Sequence, residues 1–135
     1  MKIIRLDSCE DNWSPLASAT VKKRSKLHEK ALEVIRKVLP ATMILNEVAI
    51  PIDRKKKLYL DIYLSQHKIA IEVMGKQHKK KVPFFQTKRQ FGKQLENDAL
   101  KKEWCLLNSI VFLEFWFDRE DVWELKLREI LGLTT

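Results

Sequence analysis

The middle of the chain carries the pattern that most constrains its fold. Large aliphatic residues occupy every second position of Leu58–Leu64 and again of Ile69–Met74, and four polar residues separate the two runs. A period of two is typical of β-strands, and two such runs around a short polar break are typical of an antiparallel hairpin. A turn centred on Gln66-His67 would place Asp61 directly opposite Glu72.

This register would bring two carboxylates side by side, because cross-strand partners project to the same face of a sheet. Like charges directly opposite each other destabilise a sheet, so something must compensate for Asp61 and Glu72. A divalent cation is the simplest compensation, since hard oxygen ligands suit Mg²⁺ or Mn²⁺, and the backbone carbonyl of Val73 is a further candidate ligand. Two solvent-facing acids on a half-exposed sheet are the alternative, and the pattern leaves both open.

The remaining segments predict helices and strands in an α/β order. Apolar spacing, prolines and an acidic helix start mark their ends. In chain order the predicted elements are the helix Ser25–Leu39, the strand Met43–Ile50, the hairpin, the helix Gln94–Leu107, the strand Ile110–Phe117 and a last helix that starts in the acidic run Asp118–Asp121 and ends at Gly132. This order indicates an α/β sandwich rather than a doubly wound nucleotide-binding fold.

The length of 135 residues suits one domain with a single core. We expect an N-terminal arm over residues 1–24, irregular apart from a short strand near Lys2–Leu6, and a domain over residues 25–135. The sequence has no apolar run of the ~18–20 residues that a membrane span needs, and its N-terminal residues do not show the pattern of a signal peptide. Its two cysteines cannot build a disulfide framework, so a cytoplasmic location is expected.

The charge balance favours a polyanionic partner. Lys and Arg total 26 against 18 Asp and Glu, a formal net charge of +8. Lys79–Lys93 interleaves cations with Phe84, Phe85 and Phe91, a combination typical of nucleic-acid surfaces, although a solvated loop is the alternative. The candidate nucleic-acid-binding residues are Lys76, Lys79, Lys80, Lys81, Lys88, Arg89, Lys101 and Lys102.

Two polar residues follow the second hairpin strand closely. Gly75 lets the chain turn sharply, which leaves Gln77 and His78 near the Glu72 end of the sheet. An imidazole titrates near neutral pH and can move a proton or orient a water molecule. A surface histidine is the alternative interpretation of His78.

Two further acids are candidates on helices. Asp98 shares a helical face with Lys101 and Lys102, so it is either part of the sheet site or an ordinary intrahelical ion-pair partner. Glu29 of the first helix is either a site residue or a plain surface acid.

One segment resembles a known nuclease motif. Leu60-Asp61-Ile62, eight intervening residues and then Ile71–His78 resemble the PD-(D/E)XK nuclease superfamily. The closest likeness is to its branch of very-short-patch repair endonucleases and phage homing nucleases with an EDxHD site. Asn97–Lys102 followed by Ile110–Phe115 resembles the second helix and next strand of that branch, and the likeness covers residues 26–131.

The resemblance implies a restriction-endonuclease-like αβββαβ core, with a mixed central sheet flanked by helices. It implies a Mg²⁺-dependent endodeoxyribonuclease in which Mn²⁺ can substitute, with DNA as the partner. The implied metal ligands are Asp61, Glu72 and the Val73 carbonyl. His78 would handle the proton beside Gln77, and Glu29 and Asp98 would complete the acidic cluster. The superfamily's lysine two residues after the second acid is Met74 here, so His78, Gln77 or Lys76 would have to take its part.

Two other functions stay open at this point. A structure-selective nuclease such as a Holliday-junction resolvase would act as a homodimer. A non-catalytic nucleic-acid-binding module on a nuclease fold would explain the missing lysine. The compact chain is also consistent with a phage or mobile-element origin.

Overall fold

The computed structural model describes residues 1–17, 24–76 and 88–133. Its strands are β1 (Lys2–Ile4), β2 (Glu10–Asn12), β3 (Leu45–Pro51), β4 (Lys57–Leu64), β5 (Ile69–Met74) and β6 (Val111–Trp116). Its helices are α1 (Lys26–Val38), α2 (Lys88–Leu107) and α3 (Trp123–Ile130), and a 3₁₀ turn at Glu120–Val122 leads into α3.

The main sheet has the strand order β3-β4-β5-β6 and is mixed. β3, β4 and β5 are antiparallel neighbours, and β6 runs parallel to β5 after the crossover through α2. Helices flank this four-stranded sheet, so the predicted mixed α/β architecture is confirmed. Among the described residues, no helix is both long and apolar enough to cross a membrane.

The predicted hairpin and its register are confirmed. Tyr63 lies opposite Ala70, and Ile62 lies opposite Ile71. The predicted first helix is confirmed as well: the Ser25 side chain accepts the N–H of His28 at 3.1 Å, which caps the start of α1.

The second helix begins at Lys88, six residues before the predicted start at Gln94. Its first turns carry no apolar stripe because they line a cavity instead of the core. Burial on α2 is concentrated at Trp104 and Cys105, near its C-terminal end. Hydrophobic spacing therefore could not reveal the first part of this helix.

Two apolar clusters cover the two faces of the sheet. The α1–α3 face holds Ala31, Leu32, Ile35, Val38, Ile62, Leu64, Ile69, Ile71, Leu113, Phe115, Trp123 and Leu127. The α2 face holds Ile3, Trp13, Val48, Ile50, Ile52, Leu60, Tyr63, Ala70, Trp104, Cys105 and Ile110.

The strict alternation predicted for β4 is wrong at its centre. Leu60 packs on the α2 face, whereas Ile62, two residues later, packs on the α1–α3 face. The neighbouring β3 changes in step, since Leu45 and Val48 both pack on the α2 face. Glu47 has a φ of 55°, a left-handed conformation in the middle of β3. At this kink the side chains of both strands change to the opposite face of the sheet, while the pairing register between β3 and β4 stays the same.

The predicted N-terminal arm is more regular than expected. β1 confirms the short strand, but β1 pairs with a second strand, β2, that the sequence did not reveal. Ile3 and Trp13 are buried on the α2 face, and the indole N–H of Trp13 donates to the Ala49 carbonyl at 2.9 Å. These contacts anchor the described part of the arm on the main sheet. The boundary between an arm over residues 1–24 and a domain over residues 25–135 stays a prediction.

Candidate metal and nucleic-acid site

The ladder between β4 and β5 gives way to side-chain hydrogen bonds at Asp61 and Glu72. The backbone N–H of Asp61 donates to Glu72 Oε2 at 2.7 Å, and the backbone N–H of Val73 donates to Asp61 Oδ2 at 2.9 Å. Each carboxylate thus occupies the place of a backbone carbonyl between the strands. The predicted convergence of the two hairpin acids is confirmed, and we call them the interstrand acid pair.

A lysine from α2 reaches the second acid of this pair. Lys101 Nζ lies 2.6 Å from Glu72 Oε1, and both side chains are largely buried, at 15% and 3% exposure. The sequence placed Lys101 on a nucleic-acid surface and did not reveal this ion pair. One helical face of α2 therefore supplies a cation to the sheet where β4 and β5 meet.

The environment of Glu72 disfavours its ionised form. Burial, with the nearby charge of Asp61, raises the pKa of Glu72 to about 8, although Lys101 and the Asp61 N–H act in the opposite direction. Burial also lowers the pKa of Lys101, but the Glu72 carboxylate more than offsets this, so that pKa lies above its ordinary value. The amine stays protonated near neutral pH.

A third acid lies on the other side of Asp61. The β3–β4 register pairs Asn46 with Ile62 and Val48 with Leu60, which sets Glu47 opposite Asp61. Its left-handed backbone costs on the order of 1 kcal/mol or more for a non-glycine residue. The sequence did not single out Glu47, because an isolated acid in a strand carries no periodic signal.

An open cavity of about 560 Å³ lies between this part of the sheet and α2. The sheet contributes Glu47, Leu58, Tyr59 and Asp61 to its lining. The helix contributes Arg89, Gln90, Lys93, Gln94, Asn97, Asp98 and Lys101. The cavity therefore combines acids next to the interstrand acid pair with cations along the helix.

Several predicted site residues come together here. Asp98 and Arg89 line the cavity with Asp61 and Lys101. Val73 joins the group through its N–H, whereas the sequence proposed its carbonyl as a ligand. Lys76, Lys88 and Lys102 are exposed, and Lys102 lines a separate depression beside β6.

Glu29 is not brought into this group. It lies on α1, whose buried residues belong to the α1–α3 face, and its side chain is half exposed and 3.6 Å from Arg24. The role that the resemblance implies for Glu29 stays a prediction, without support from these contacts. Gln77, His78, Lys79, Lys80 and Lys81 lie outside the described residues.

The chemistry of the donor set limits which metal it could hold. Over residues 1–17, 24–76 and 88–133, no three acidic, imidazole or thiol groups converge as a metal-binding cluster. Mg²⁺ is commonly held by only one or two carboxylates, with water and substrate phosphate completing its shell. A carboxylate has about four lone-pair sites, so the interstrand acid pair keeps acceptor capacity beyond its present hydrogen bonds.

Comparisons with protein-family models, with curated proteins and with solved structures find no match to this chain.

Proposed function

We propose that this chain is a Mg²⁺-dependent endodeoxyribonuclease of the PD-(D/E)XK type, with a restriction-endonuclease-like core. The observation that carries the proposal is the interstrand acid pair, locked by two hydrogen bonds of 2.7 and 2.9 Å beside an open cavity. These hydrogen bonds hold two carboxylates at the same point of the β4–β5 strand pair, and carboxylate oxygens are the ligands that a hard divalent cation takes. The helix order around the sheet agrees with the proposed core.

Asp61 and Glu72 would hold the metal ion, with the Val73 carbonyl as the third proposed ligand. Bound Mg²⁺ would supply Lewis-acid chemistry, by offsetting negative charge on a phosphodiester and lowering the pKa of a water molecule. Mn²⁺ would substitute, since it accepts the same oxygen ligands.

The protein's own groups divide the remaining work. Arg89 and Lys93 line the cavity and would bind phosphates of the DNA backbone. His78, with Gln77 beside it, would move the proton of the attacking water or of the leaving oxygen. Asp98 lies on the cavity wall, where it would orient Lys101 or a water molecule.

Lys101 is the best candidate for the part of the missing motif lysine. Met74 stands at that position of the motif and is only 3% exposed, so its side chain belongs to the protein interior. Lys101 instead brings its ammonium to Glu72 from α2, at 2.6 Å. Lys76, which the sequence offered as an alternative by its position, is exposed beyond the end of β5.

The test is cleavage of supercoiled plasmid with and without Mg²⁺. Wild-type protein should produce nicked or linear DNA only with the metal, and Asp61→Asn and His78→Ala should each reduce the rate by on the order of a hundredfold or more. Asp121→Asn is the matched control, because Asp121 is an exposed acid paired with Arg119 away from the cavity. Cleavage that persists in Asp61→Asn, or that needs no divalent ion, would remove the proposal.

A non-catalytic nucleic-acid-binding module is the second candidate. The buried Met74 favours it, because the motif position offers no group that can stabilise charge. DNA binding without cleavage in either Mg²⁺ or Mn²⁺ would select this candidate. Preference for a four-way junction, together with a homodimer in solution, would instead select the structure-selective nuclease.

A further inference from the structure

We infer that the groove between α2 and β4 binds a single unpaired DNA strand, with Tyr59 stacking on a base and Arg89 and Lys93 contacting phosphates. The inference deepens the proposed function by naming the form of DNA that the site accepts. It rests on that function only for the reaction, because binding can be measured without metal.

The cavity side of α2 carries polar residues at steps of four. Arg89, Lys93, Asn97 and Lys101 all line the cavity, and this spacing places them on one helical face. Each step advances about 6 Å along the helix axis, so the row extends about 18 Å in all. Cations spaced along a groove in this way suit successive phosphates of one extended strand.

Charge is separated along the groove. The outer end, formed by the first turns of α2, carries Arg89 and Lys93, and both are exposed. The inner end carries Asp98 and Asp61, and Lys101 is already paired with Glu72. A strand lying along the helix would therefore meet cations first and would place one phosphate at the interstrand acid pair.

A partly exposed tyrosine of the sheet lines the same cavity. Tyr59 is 41% exposed, and it lines the same cavity as Asp61, which follows two residues later on β4. Two residues of a strand cover about 6.6 Å, so the backbone positions of Tyr59 and Asp61 are roughly one nucleotide step apart. Stacking on an aromatic ring is available to every base and does not require a particular sequence.

The ring selects for an unpaired nucleotide. In a duplex, each base face is covered by its neighbours, so a protein ring reaches a base face only after the base has left the stack. The groove should therefore prefer a single strand, a flap or a bulge over continuous duplex.

The test is fluorescence anisotropy of the full chain in EDTA, with a labelled single strand and the duplex of the same sequence. Wild type should bind the single strand about tenfold or more tightly than the duplex. Tyr59→Ala should lose on the order of tenfold in single-strand affinity, whereas Tyr59→Phe should keep it. Lys93→Ala should weaken binding and reduce the dependence of the affinity on salt. Lys37→Ala, which removes an exposed lysine of α1 away from the groove, should do neither.

Equal affinity for duplex and single strand, or an unchanged Tyr59→Ala variant, would overturn the inference. Circular dichroism of each variant establishes that it is folded, and Tyr59→Phe separates stacking from the loss of a hydroxyl. Failure of the inference and failure of the nuclease proposal are distinguishable. A chain that binds single strands as described but never cleaves refutes only the nuclease, whereas a chain that cleaves with Tyr59→Ala unaltered in affinity refutes only the groove.

Discussion

The two faces of the sheet differ in what they bury. The α1–α3 face is closed mainly by apolar side chains, including Phe115 and Trp123, whose ring centroids lie 4.8 Å apart, and its buried His28 is hydrogen-bonded to Asn46. The α2 face also buries an apolar cluster, which includes Trp104 and Cys105, but beside this cluster it opens into a cavity and it contains the buried Glu72–Lys101 pair.

This difference separates stability from function. Apolar burial is the main favourable term in folding, whereas a buried ion pair contributes little net stability because both charges lose their hydration. The α2 face also contains the left-handed Glu47. Backbone strain and buried charged groups both cost folding free energy, and such features are typical of binding and catalytic sites.

The largest effect on stability should come from the α1–α3 face. Leu32→Ala, at a fully buried position, should lower the free energy of unfolding by about 2–5 kcal/mol, because it leaves a cavity among packed side chains. Leu125→Ala, on α3 and 53% exposed, should change it by less than about 0.5 kcal/mol. Urea unfolding measures both, and a small loss for Leu32→Ala would contradict the assignment of this face to the core.

A pH-dependent effect should come from the α2 face. The pKa of Glu72 is raised from 4.5 to about 8, so below that pH the folded protein holds a proton on Glu72, whose oxygen then accepts a hydrogen bond from the Lys101 ammonium, whereas the unfolded chain releases this proton near its ordinary pKa. The free energy of unfolding of the metal-free protein should therefore fall as pH rises from about 5 to about 8.5, because the unfolded chain binds fewer protons than the folded protein in this range.

Glu72→Gln should flatten this pH dependence, because the amide keeps a carbonyl acceptor and cannot ionise. Glu33→Gln, at an exposed position of α1, is the matched control and should leave the slope unchanged. Urea unfolding in EDTA at several pH values gives the slope. A Glu72→Gln slope equal to that of wild type would show that the α2 face does not carry this proton.

A smaller effect should come from the kink in β3. Glu47→Gly should be more stable than Glu47→Ala by about 1 kcal/mol, because glycine adopts a φ of 55° without strain and alanine does not. Thermal unfolding of the two variants measures the difference. Equal stabilities would mean that the left-handed backbone at Glu47 is absent in solution.

The last prediction concerns the accessibility of the two thiols to a chemical reagent. Cys9 is exposed and Cys105 is buried on α2, and burial raises the pKa of the Cys105 thiol to about 12. Ellman's reagent should therefore modify one thiol rapidly in the folded protein and two in denaturant. Cys9→Ser should abolish the rapid reaction, and a fast reaction remaining in that variant would show that the cavity extends to Cys105.

Local patterns predicted much of the fold. The hairpin could be predicted with its register because the period of two and the short turn define which residues face each other. The convergence of Asp61 and Glu72 followed from that register alone. The first helix was predictable from its apolar spacing and from Pro40, which follows its end.

Features that depend on tertiary contacts could not be predicted. The side chains of β4 change from one face of the sheet to the other where Glu47 of β3 has a left-handed backbone. A glutamate in a strand gives no sequence signal that its backbone is left-handed. The partner of Lys101 depends on how α2 lies across the sheet, which its spacing to Asp98 does not define. The start of α2 could not be predicted either, because its first turns face a cavity and carry no apolar stripe.

A crystal structure of the full chain with Mn²⁺ is the sharpest test of the proposed metal site, because the anomalous signal of the metal locates it independently of activity. We expect a peak bonded to Asp61 and Glu72 oxygens at distances of about 2.1 Å. An empty interstrand acid pair at saturating Mn²⁺, with Glu72 still bound to Lys101, would contradict the assignment of these acids as metal ligands.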